Sequence, residues 1–243
     1  MTTPITGKSA FIITSEQEEA QLGEKAYRET LAKSRLSSNA HMNAILQRAG
    51  KRIAAAAQKP EYRWEFKLIE SKEKNAFCLP GGKVAFYTGI LGSFKNEAQL
   101  AAVMGHEVAH ATARHGGQRI TMQMGTQLGF GALSTLLGED SQKKDLLLAA
   151  LGAGATIGAI LPFGRAHETE ADHIGLIYMA VAGYDPREAP AFWQTFGKEG
   201  GGPPEWLSTH PSPGNREQNM KRLLPQALPY YERSPKYGAG ETF

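Results

Sequence analysis

The chain has little of what several protein classes require. Only one of its 243 residues is cysteine, so no disulfide can form within the chain. Its 27 Lys and Arg nearly balance 24 Asp and Glu, and no basic stripe for nucleic acid is apparent. No internal repeat is present, and the first residues lack the charged start and apolar run of a signal peptide. What remains is a globular chain, 41% apolar, that is long enough for a sizeable core.

Long hydrophobic runs are also scarce. Residues 146–163 form an uncharged stretch of 18, near the lower limit for a membrane span. The stretch contains the pattern Gly154-xxx-Gly158, which favours close helix packing. We predict a Gly- and Ala-rich helical insertion over 125–163, either buried or covering the site as a lid. Contact with a membrane is the alternative.

The residues from His106 to His110 read HExxH. On a helix, residues four apart lie on one face, so the two histidines can bind one metal ion together. Glu107 can then reach a water on that metal and act as a general base in hydrolysis. The preceding residues predict a helix, because Asn96 is a good N-cap and strong helix formers follow Glu97. The alternative is two core histidines with an unrelated glutamate between them.

A catalytic zinc site usually has three protein ligands, so a third ligand is expected. The pattern HExxHxxGxxH would supply a further histidine, but the sixth residue after His110 is Gly116. The nearest histidine, His115, comes one place early. This subclass of enzyme therefore does not fit.

A later helix offers carboxylates instead. Glu168 and Asp172 are four residues apart and share a helix face. Glu168 can bind the metal while Asp172 accepts a hydrogen bond from a ligand imidazole. Glu170 lies about 200° round the helix from Glu168 and is expected to point away. The alternative is that all three carboxylates form a solvated acidic face.

Four blocks of sequence, in order, resemble the zinc metallopeptidases of family M forty-eight, which includes the HtpX, CAAX prenyl protease and Oma types. The blocks are NAFCLPGG at 75–82, HExxH at 106–110, ExxAD at 168–172, and STHP at 208–211 followed by Arg216. The resemblance covers nearly the whole chain and is closest to the soluble bacterial periplasmic branch of BepA- and LoiP-like proteins. Cys78 departs slightly from the small residue that is usual there, and we expect a buried thiol.

The resemblance implies a gluzincin, zincin-like fold with one zinc ion per chain. It assigns His106, His110 and Glu168 to the metal, and Glu107 to the role of catalytic base. The implied enzyme is a zinc endopeptidase, whose zinc activates a water and polarises the scissile carbonyl.

The resemblance also places His210 near the metal. There it serves as a donor to the oxyanion or as a fourth ligand, with Arg216 close by or bracing the loop. A bound His210 would fill the open position and leave the enzyme latent until the loop moves. The alternative is a loop histidine next to a proline.

The residue patterns predict an α+β, mostly helical domain with a small mixed or antiparallel sheet beside the HExxH helix. A capping box at 15–18 opens a helix to about 34, and a second helix covers 39–58. Strands are expected at 63–71, 75–79 and 83–88. Gly183 ends the Glu168 helix, Pro186 opens the next at N1, and Ser212-Pro213 opens a last, short helix. Residues 1–228 form a single metallopeptidase domain, and 229–243 a loosely ordered C-terminal tail.

Asn75, Ala76 and Phe77 are candidates for binding substrate. A peptide can add as a strand to an exposed sheet edge, which satisfies its backbone whatever its side chains are. The alternative is that the aromatic side chains in this region only pack within the fold.

Polypeptides are the expected substrates, and nucleic acid is not an expected partner. The resemblance implies an exported protein of the bacterial periplasm or a membrane surface, as a lipoprotein whose targeting segment is missing from this chain. It would act on misfolded or misassembled envelope proteins, with peripheral contact to the membrane or to outer-membrane proteins. Two rivals stay open: a periplasmic chaperone or assembly factor with a latent or regulatory zinc site, and a zinc-dependent hydrolase of small molecules.

Overall fold

The computed structural model describes residues 1–122, 164–196, 198, 205–211 and 215–243. The expected insertion at 125–163 lies outside these residues. Within the described part of the chain, no helix combines the length and the apolar character needed to cross a lipid bilayer.

The described elements make an α+β, mostly helical domain, which confirms the predicted fold class. In chain order they are α1 (Glu16–Ala32), α2 (Ala40–Ala57), β1 (Glu65–Ile69), β2 (Ala76–Leu79), β3 (Lys83–Tyr87), α3 (Thr88–Leu91), α4 (Glu97–Thr112), α5 (Arg165–Val181), α6 (Glu188–Thr195), α7 (Glu205–Thr209) and α8 (Arg216–Arg233). Residues 115–122 are also helical.

Local side chains fix the starts of the long helices. Ser15 and Glu18 form the predicted capping box at α1. Asn39 and Asn96 cap α2 and α4 by accepting hydrogen bonds from the backbone of the first turn. Gly183, at φ +87°, follows the end of α5 in the left-handed conformation expected of a C′ glycine.

The sheet is mixed and has the strand order β1-β3-β2. β1 runs parallel to β3, whereas β2 is antiparallel to it, with Phe77 opposite Ala85. Gly81 and Gly82 join β2 to β3, both at positive φ (82° and 84°), which explains glycine at this turn. β2 is therefore the outer strand on the side that packs against α4.

Helix α4 is the centre of the molecule, and every one of its residues is buried. It packs against α5, α2, α6 and β2. The crossing with α5 is very close: a Cβ atom added at Gly175 would lie 2.7 Å from the backbone nitrogen of His106. A Cβ at Gly105 would likewise lie 2.7 Å from the carbonyl oxygen of Gly175. The two glycines let backbone meet backbone at the level of the HExxH motif.

Two predicted helix boundaries were wrong. α6 begins at Glu188, two residues after Pro186, so the proline precedes the helix and does not occupy N1. The last helix is not short: α8 has 18 residues and continues through Pro225 and Pro229. Its buried apolar residues (Met220, Ala227 and Tyr231) lie on one side, and it packs against α5 and α6. Packing of that face outweighs the penalty of the two prolines.

Residues after α8 are tied to the body of the protein. The backbone N–H groups of Glu97 and Ala98 donate to the carbonyls of Glu241 and Ala239, at 2.7 and 3.0 Å. These bonds satisfy donors that the first turn of α4 would otherwise leave unpaired. The end of the chain therefore caps the helix that carries the HExxH motif, in contrast to the loose tail expected from 229 onward.

Candidate metal centre

His106 and His110 lie one turn apart on the buried helix α4, as the motif predicts. Their rings are 4.7 Å apart between centroids, and their Nε2 atoms are 3.0 Å apart. Both side chains are almost inaccessible to solvent. Helix geometry thus points two imidazole nitrogens at one small volume.

Glu168 and His210 reach the same volume from α5 and from the residue after α7. Glu168 Oε1 lies 3.2 Å from His110 Nε2 and 3.1 Å from His210 Nδ1. His210 Nδ1 is also 3.2 Å from His106 Nε2. One ligand atom from each of the four residues falls within 4.8 Å of all the others. Four residues that are far apart in sequence therefore converge on one point.

The spacing and chemistry of these atoms fit a metal ion. Metal–ligand bonds of 2.0–2.1 Å in a tetrahedron place neighbouring ligand atoms ~3.3 Å apart. Four of the six pairs among these ligand atoms are separated by 3.0–3.2 Å, and all of them lie within 4.8 Å. Glu168 Oε2 is buried and accepts no hydrogen bond from the described residues. A cation at this point would satisfy the buried lone pairs that face it.

Charge and burial act in opposite directions on the ligands. Burial and the charge of Arg216 oppose protonation of His106, but the carboxylates of Glu168 and Asp172 outweigh them and raise its pKa to about 8. Burial dominates at His110 and lowers its pKa well below the usual value. Burial also opposes ionisation of Glu168, but the neighbouring histidines hold its pKa well below its usual range. A negative charge therefore persists in the centre, which favours a bound cation.

Asp172 and Arg216 form the layer behind His106. Asp172 Oδ1 lies 2.9 Å from His106 Nδ1, so it can accept the hydrogen of that nitrogen while Nε2 faces the metal position. Arg216 donates to the same oxygen through Nε at 3.0 Å, and its guanidinium lies 4.0 Å above the ring of Trp193. The structure thus brings Asp172 and Arg216 together beside the ring of His106.

Glu107 adjoins the ligand cluster and is tied to Trp206. The indole nitrogen of Trp206 donates to Glu107 Oε1 at 2.6 Å. The indole also stacks on His210, with ring centroids 4.3 Å apart and planes 11° from parallel. Trp206 was not predicted from the sequence. It stands four residues before His210, a helical spacing that places both side chains on one face.

The metal-ligand geometry agrees with the comparison to known protein families. The model of peptidase family M48 matches residues 40–224. The chain belongs to this family. Membership confirms the family that the four sequence blocks indicated, and with it the predicted enzyme class, a metallopeptidase.

Relatives of this M48 chain include proteins from eukaryotes and bacteria. The mitochondrial metalloendopeptidase OMA1 of Schizosaccharomyces pombe is 34% identical over 240 residues, or 96% of this chain and 69% of that protein. OMA1 of Arabidopsis thaliana is 39% identical over 181 residues, or 73% of this chain and 36% of that protein. The β-barrel assembly-enhancing protease of Escherichia coli K12 is 29% identical over 239 residues, or 96% of this chain and 49% of that protein. The match thus covers between about a third and two thirds of the length of these relatives.

The edge strand of the M48 domain lies beside the metal centre. Asn75 and Ala76 are buried, and Phe77 is half-buried with its ring 6.2 Å from that of Tyr87. Tyr87 N–H donates to the Asn75 carbonyl, so the backbone groups of Ala76 point away from β3. Within the described residues, no strand pairs with this outer side of β2. The aromatic side chain packs as the alternative expected, and the outward N–H of Ala76 donates to Oδ1 of Asn75 at 2.9 Å.

Cys78 is a buried thiol beside the metal centre. It is 8% exposed, and burial together with the charge of Glu107 raises its pKa well above the usual value. The thiol therefore keeps its proton, which argues against a ligand or redox role.

Glu170 does not lie on a solvated acidic face, which was the alternative expected for the carboxylates of this helix. It points away from the metal ligands, as its position on α5 requires, but it is buried. Its carboxylate lies among Thr3, Thr6 and Lys8 and is 3.6 Å from Nε2 of His115. Burial opposes ionisation, yet the contact with His115 and the hydrogen bonds from Thr6 and Thr3 outweigh it and lower the pKa of Glu170.

Proposed function

We propose that this chain is a zinc endopeptidase that hydrolyses peptide bonds within polypeptides, held in a latent form by His210. The observation that carries the proposal is the cage of four ligand atoms, one each from His106, His110, Glu168 and His210, with Glu107 beside it. Three nitrogen ligands and one carboxylate form a donor set that zinc prefers. The intact glutamate favours catalysis, because a purely structural metal has no need of a base.

When bound, zinc supplies a Lewis acid that lowers the pKa of water and polarises the scissile carbonyl. Glu107 takes the proton from the attacking water and delivers it to the leaving nitrogen. The indole N–H of Trp206 orients that carboxylate by donating to one of its oxygens. Asp172 keeps the His106 ring in the tautomer that presents Nε2.

His210 has two roles in this proposal. Its Nδ1 stands at the fourth corner of the ligand cage, where an active site needs room for water and substrate. In this arrangement the enzyme is latent. After His210 leaves that corner, its ring becomes the candidate donor to the oxyanion that forms at the carbonyl. Arg216, engaged with Asp172, braces the site and is not the donor.

The open edge of β2 supports a polypeptide substrate. Asn75, Ala76 and Phe77 would pair with the peptide backbone as an additional strand, which positions a peptide bond without reading its side chains. We propose misfolded or misassembled envelope proteins as the substrate class, at the bacterial periplasm or a membrane surface. Support comes from the resemblance to the periplasmic branch and from the E. coli relative, whose name refers to β-barrel assembly. Relatives named as mitochondrial metalloendopeptidases support the same class of enzyme.

Two measurements on matched variants test the proposal. Metal content by elemental analysis and cleavage of casein are compared for the wild type, Glu107→Gln and His210→Ala. We expect near-stoichiometric zinc in all three and loss of cleavage in Glu107→Gln by ~10²–10⁴-fold, the range for a general base. His210→Ala should cleave faster if closure of the fourth corner limits activity, and slower if the oxyanion contact dominates.

The rival functions predict different results. An assembly factor with a regulatory metal would bind zinc in every variant and cleave in none, including His210→Ala. A hydrolase of small molecules would cleave simple amides or esters as well as it cleaves unfolded protein. Absence of zinc from the purified wild type, together with failure to take it up, would contradict the metal assignment itself.

A further inference from the structure

His110 has an unusual neighbour behind it. Its Nε2 faces the ligand cage, so the ring hydrogen must lie on Nδ1 when the residue binds a metal. The atom opposite Nδ1 is Nδ1 of His115, at 3.0 Å. The corresponding partner of His106 is a carboxylate, Asp172. The two ligands of α4 are therefore supported by different chemistry.

The backbone explains how His115 reaches back to His110. α4 ends at Thr112, and Arg114 adopts φ +54°, the left-handed conformation that is strained for a residue with a side chain. This turn separates α4 from the helical residues 115–122. Arg114 is held there by Glu19, through Nε at 3.0 Å, and by the carbonyl of Thr14 at 2.6 Å. A strained turn that is fixed in this way indicates a position under structural demand.

A neutral imidazole can support His110 in only one tautomer. Because His115 Nδ1 accepts a hydrogen bond, its own hydrogen must be on Nε2. Nε2 makes no hydrogen bond within the described residues, but Glu170 Oε2 lies 3.6 Å away, so the carboxylate favours a hydrogen at Nε2 through its charge. His115 is fully buried, which strengthens this attraction. The ring of His167 stacks on that of His115, 4.5 Å away and 20° from parallel, which holds its plane.

Glu170 is held in turn by the start of the chain. Residues 2–9 form a small hairpin, which we call the N-terminal hairpin, with Thr2 opposite Ser9 and a bond from Thr3 N–H to the Lys8 carbonyl at 2.8 Å. The hydroxyl of Thr3 donates to Glu170 Oε1 at 2.7 Å, and that of Thr6 donates to the same oxygen. Both hydroxyls engage Oε1, while Oε2 lies 3.4 Å from Nζ of Lys8 and 3.6 Å from Nε2 of His115.

We propose that His115 and Glu170 are positioning residues for the metal ligand His110, and that the N-terminal hairpin sets them in place. The path runs from the hydroxyls of Thr3 and Thr6 through Glu170 and His115 to His110. This inference rests on the proposed function, because it requires His110 to bind a metal. Neither residue touches substrate, so their effect is on how firmly the metal is held.

The test measures zinc release, independently of catalysis. Wild-type protein loaded with zinc is mixed with excess chromophoric chelator, and the rate of zinc loss is compared with two double variants. Thr3→Val/Thr6→Val keeps the shape and removes both hydroxyls, whereas Thr3→Ser/Thr6→Ser keeps the donors. Loss of a group behind a metal ligand typically weakens binding by ~10–100-fold, so we expect about tenfold faster release from the valine variant and a rate within about twofold of wild type for the serine variant.

A matched control separates positioning from simple anchoring. Thr121 accepts from the backbone of Ile13 at 3.1 Å, so it also ties down the beginning of the chain, but at a point away from Glu170. Thr121→Val should leave zinc release unchanged. Equal acceleration in Thr121→Val and in the valine double variant would overturn the proposal, and so would zinc release from the valine double variant at the wild-type rate.

The tautomer of His115 provides a second measurement that needs no variant. In the zinc-loaded wild type, labelled with ¹⁵N at histidine, we expect its hydrogen on Nε2. A hydrogen on Nδ1 would refute the proposed path from Glu170 through His115 to His110, even if the variants failed to fold. Failure of the wild type to bind zinc would instead refute the proposed function, so the two failures are distinguishable.

Discussion

The crossing of α4 and α5 leaves no room for a side chain at Gly175. A Cβ atom there would lie 2.7 Å from the backbone nitrogen of His106 and 2.8 Å from the carbonyl carbon of Gly105. Backbone atoms cannot rotate away, so Gly175→Ala must move the helices apart. An ordinary contact of 3.4 Å requires a separation larger by about 0.7 Å, the difference between 3.4 and 2.7.

This displacement is large for a metal site. Glu168 precedes Gly175 by seven residues, or about two turns of the same rigid helix. Moving α5 by ~0.7 Å shifts the carboxylate relative to His106 and His110 by several times the ~0.2 Å tolerance of metal–ligand bonds. We therefore expect zinc to bind about tenfold more weakly or worse. For stability, overpacking costs ~1–3 kcal/mol, and alanine in place of glycine returns ~1 kcal/mol of helix propensity. The net loss should be ~0–2 kcal/mol.

The assay is zinc affinity by chelator competition, with urea denaturation of the metal-free protein in parallel. Gly92→Ala is the matched control, since Gly92 has φ −66° and a Cβ there would meet no atom within 4 Å. The control should bind zinc as wild type does. If Gly175→Ala also bound zinc with wild-type affinity and were as stable as the control, the close crossing would not set the ligand geometry.

Two further predictions concern the metal centre, and a third concerns the start of α4. Asp172→Ala should weaken zinc binding by ~10–100-fold, measured by chelator competition, because His106 loses the acceptor that fixes its tautomer. Zinc binding near pH 7 should release a proton, because His106 has a pKa of about 8 and must be neutral to bind the metal. Calorimetry in buffers of different ionisation enthalpy measures this release, which should vanish above that pKa. Arg48→Met should destabilise the protein by ~2 kcal/mol in urea denaturation, because it strips the buried Glu97 of its ion pair. Burial opposes ionisation of Glu97, but Arg48 and Tyr184 outweigh burial and lower the pKa of Glu97 in the folded protein. The stabilisation is therefore complete above the unfolded pKa near 4.5, and it is lost as the pH falls through the pKa of the folded state.

Local signals in the sequence predicted most of the fold. The capping box at Ser15, the N-cap Asn96 and the helix-ending glycine Gly183 each act within a few residues, and the structure has all of them where predicted. The strand boundaries agree to within two residues at every end. The last helix was missed because Pro225 and Pro229 are local stop signals, while the packing that overrides them comes from helices α5 and α6, which are distant in sequence.

The candidate site shows the same difference between local signals, which the sequence reveals, and contacts between distant residues, which it does not. His106, His110 and Glu107 were predicted because one helix turn sets their relation, and Asp172 because it shares a face with Glu168. Trp206 and His115 were not assigned roles, since each acts through a contact between segments with no shared motif. The relation of Glu170 to Thr3 spans 167 residues, and no spacing rule in the sequence could have indicated it.

Under the proposed function, one short helix governs both halves of the catalytic apparatus. α7 carries Trp206, which holds the base Glu107, and is followed directly by His210, which fills the fourth corner of the ligand cage. The two rings stack, so displacing one displaces the other. The backbone of Trp206 also donates to the Lys74 carbonyl at 3.2 Å, shortly before β2. Under the proposed function, a movement of α7 that takes His210 out of the fourth corner would therefore also move the indole that holds Glu107.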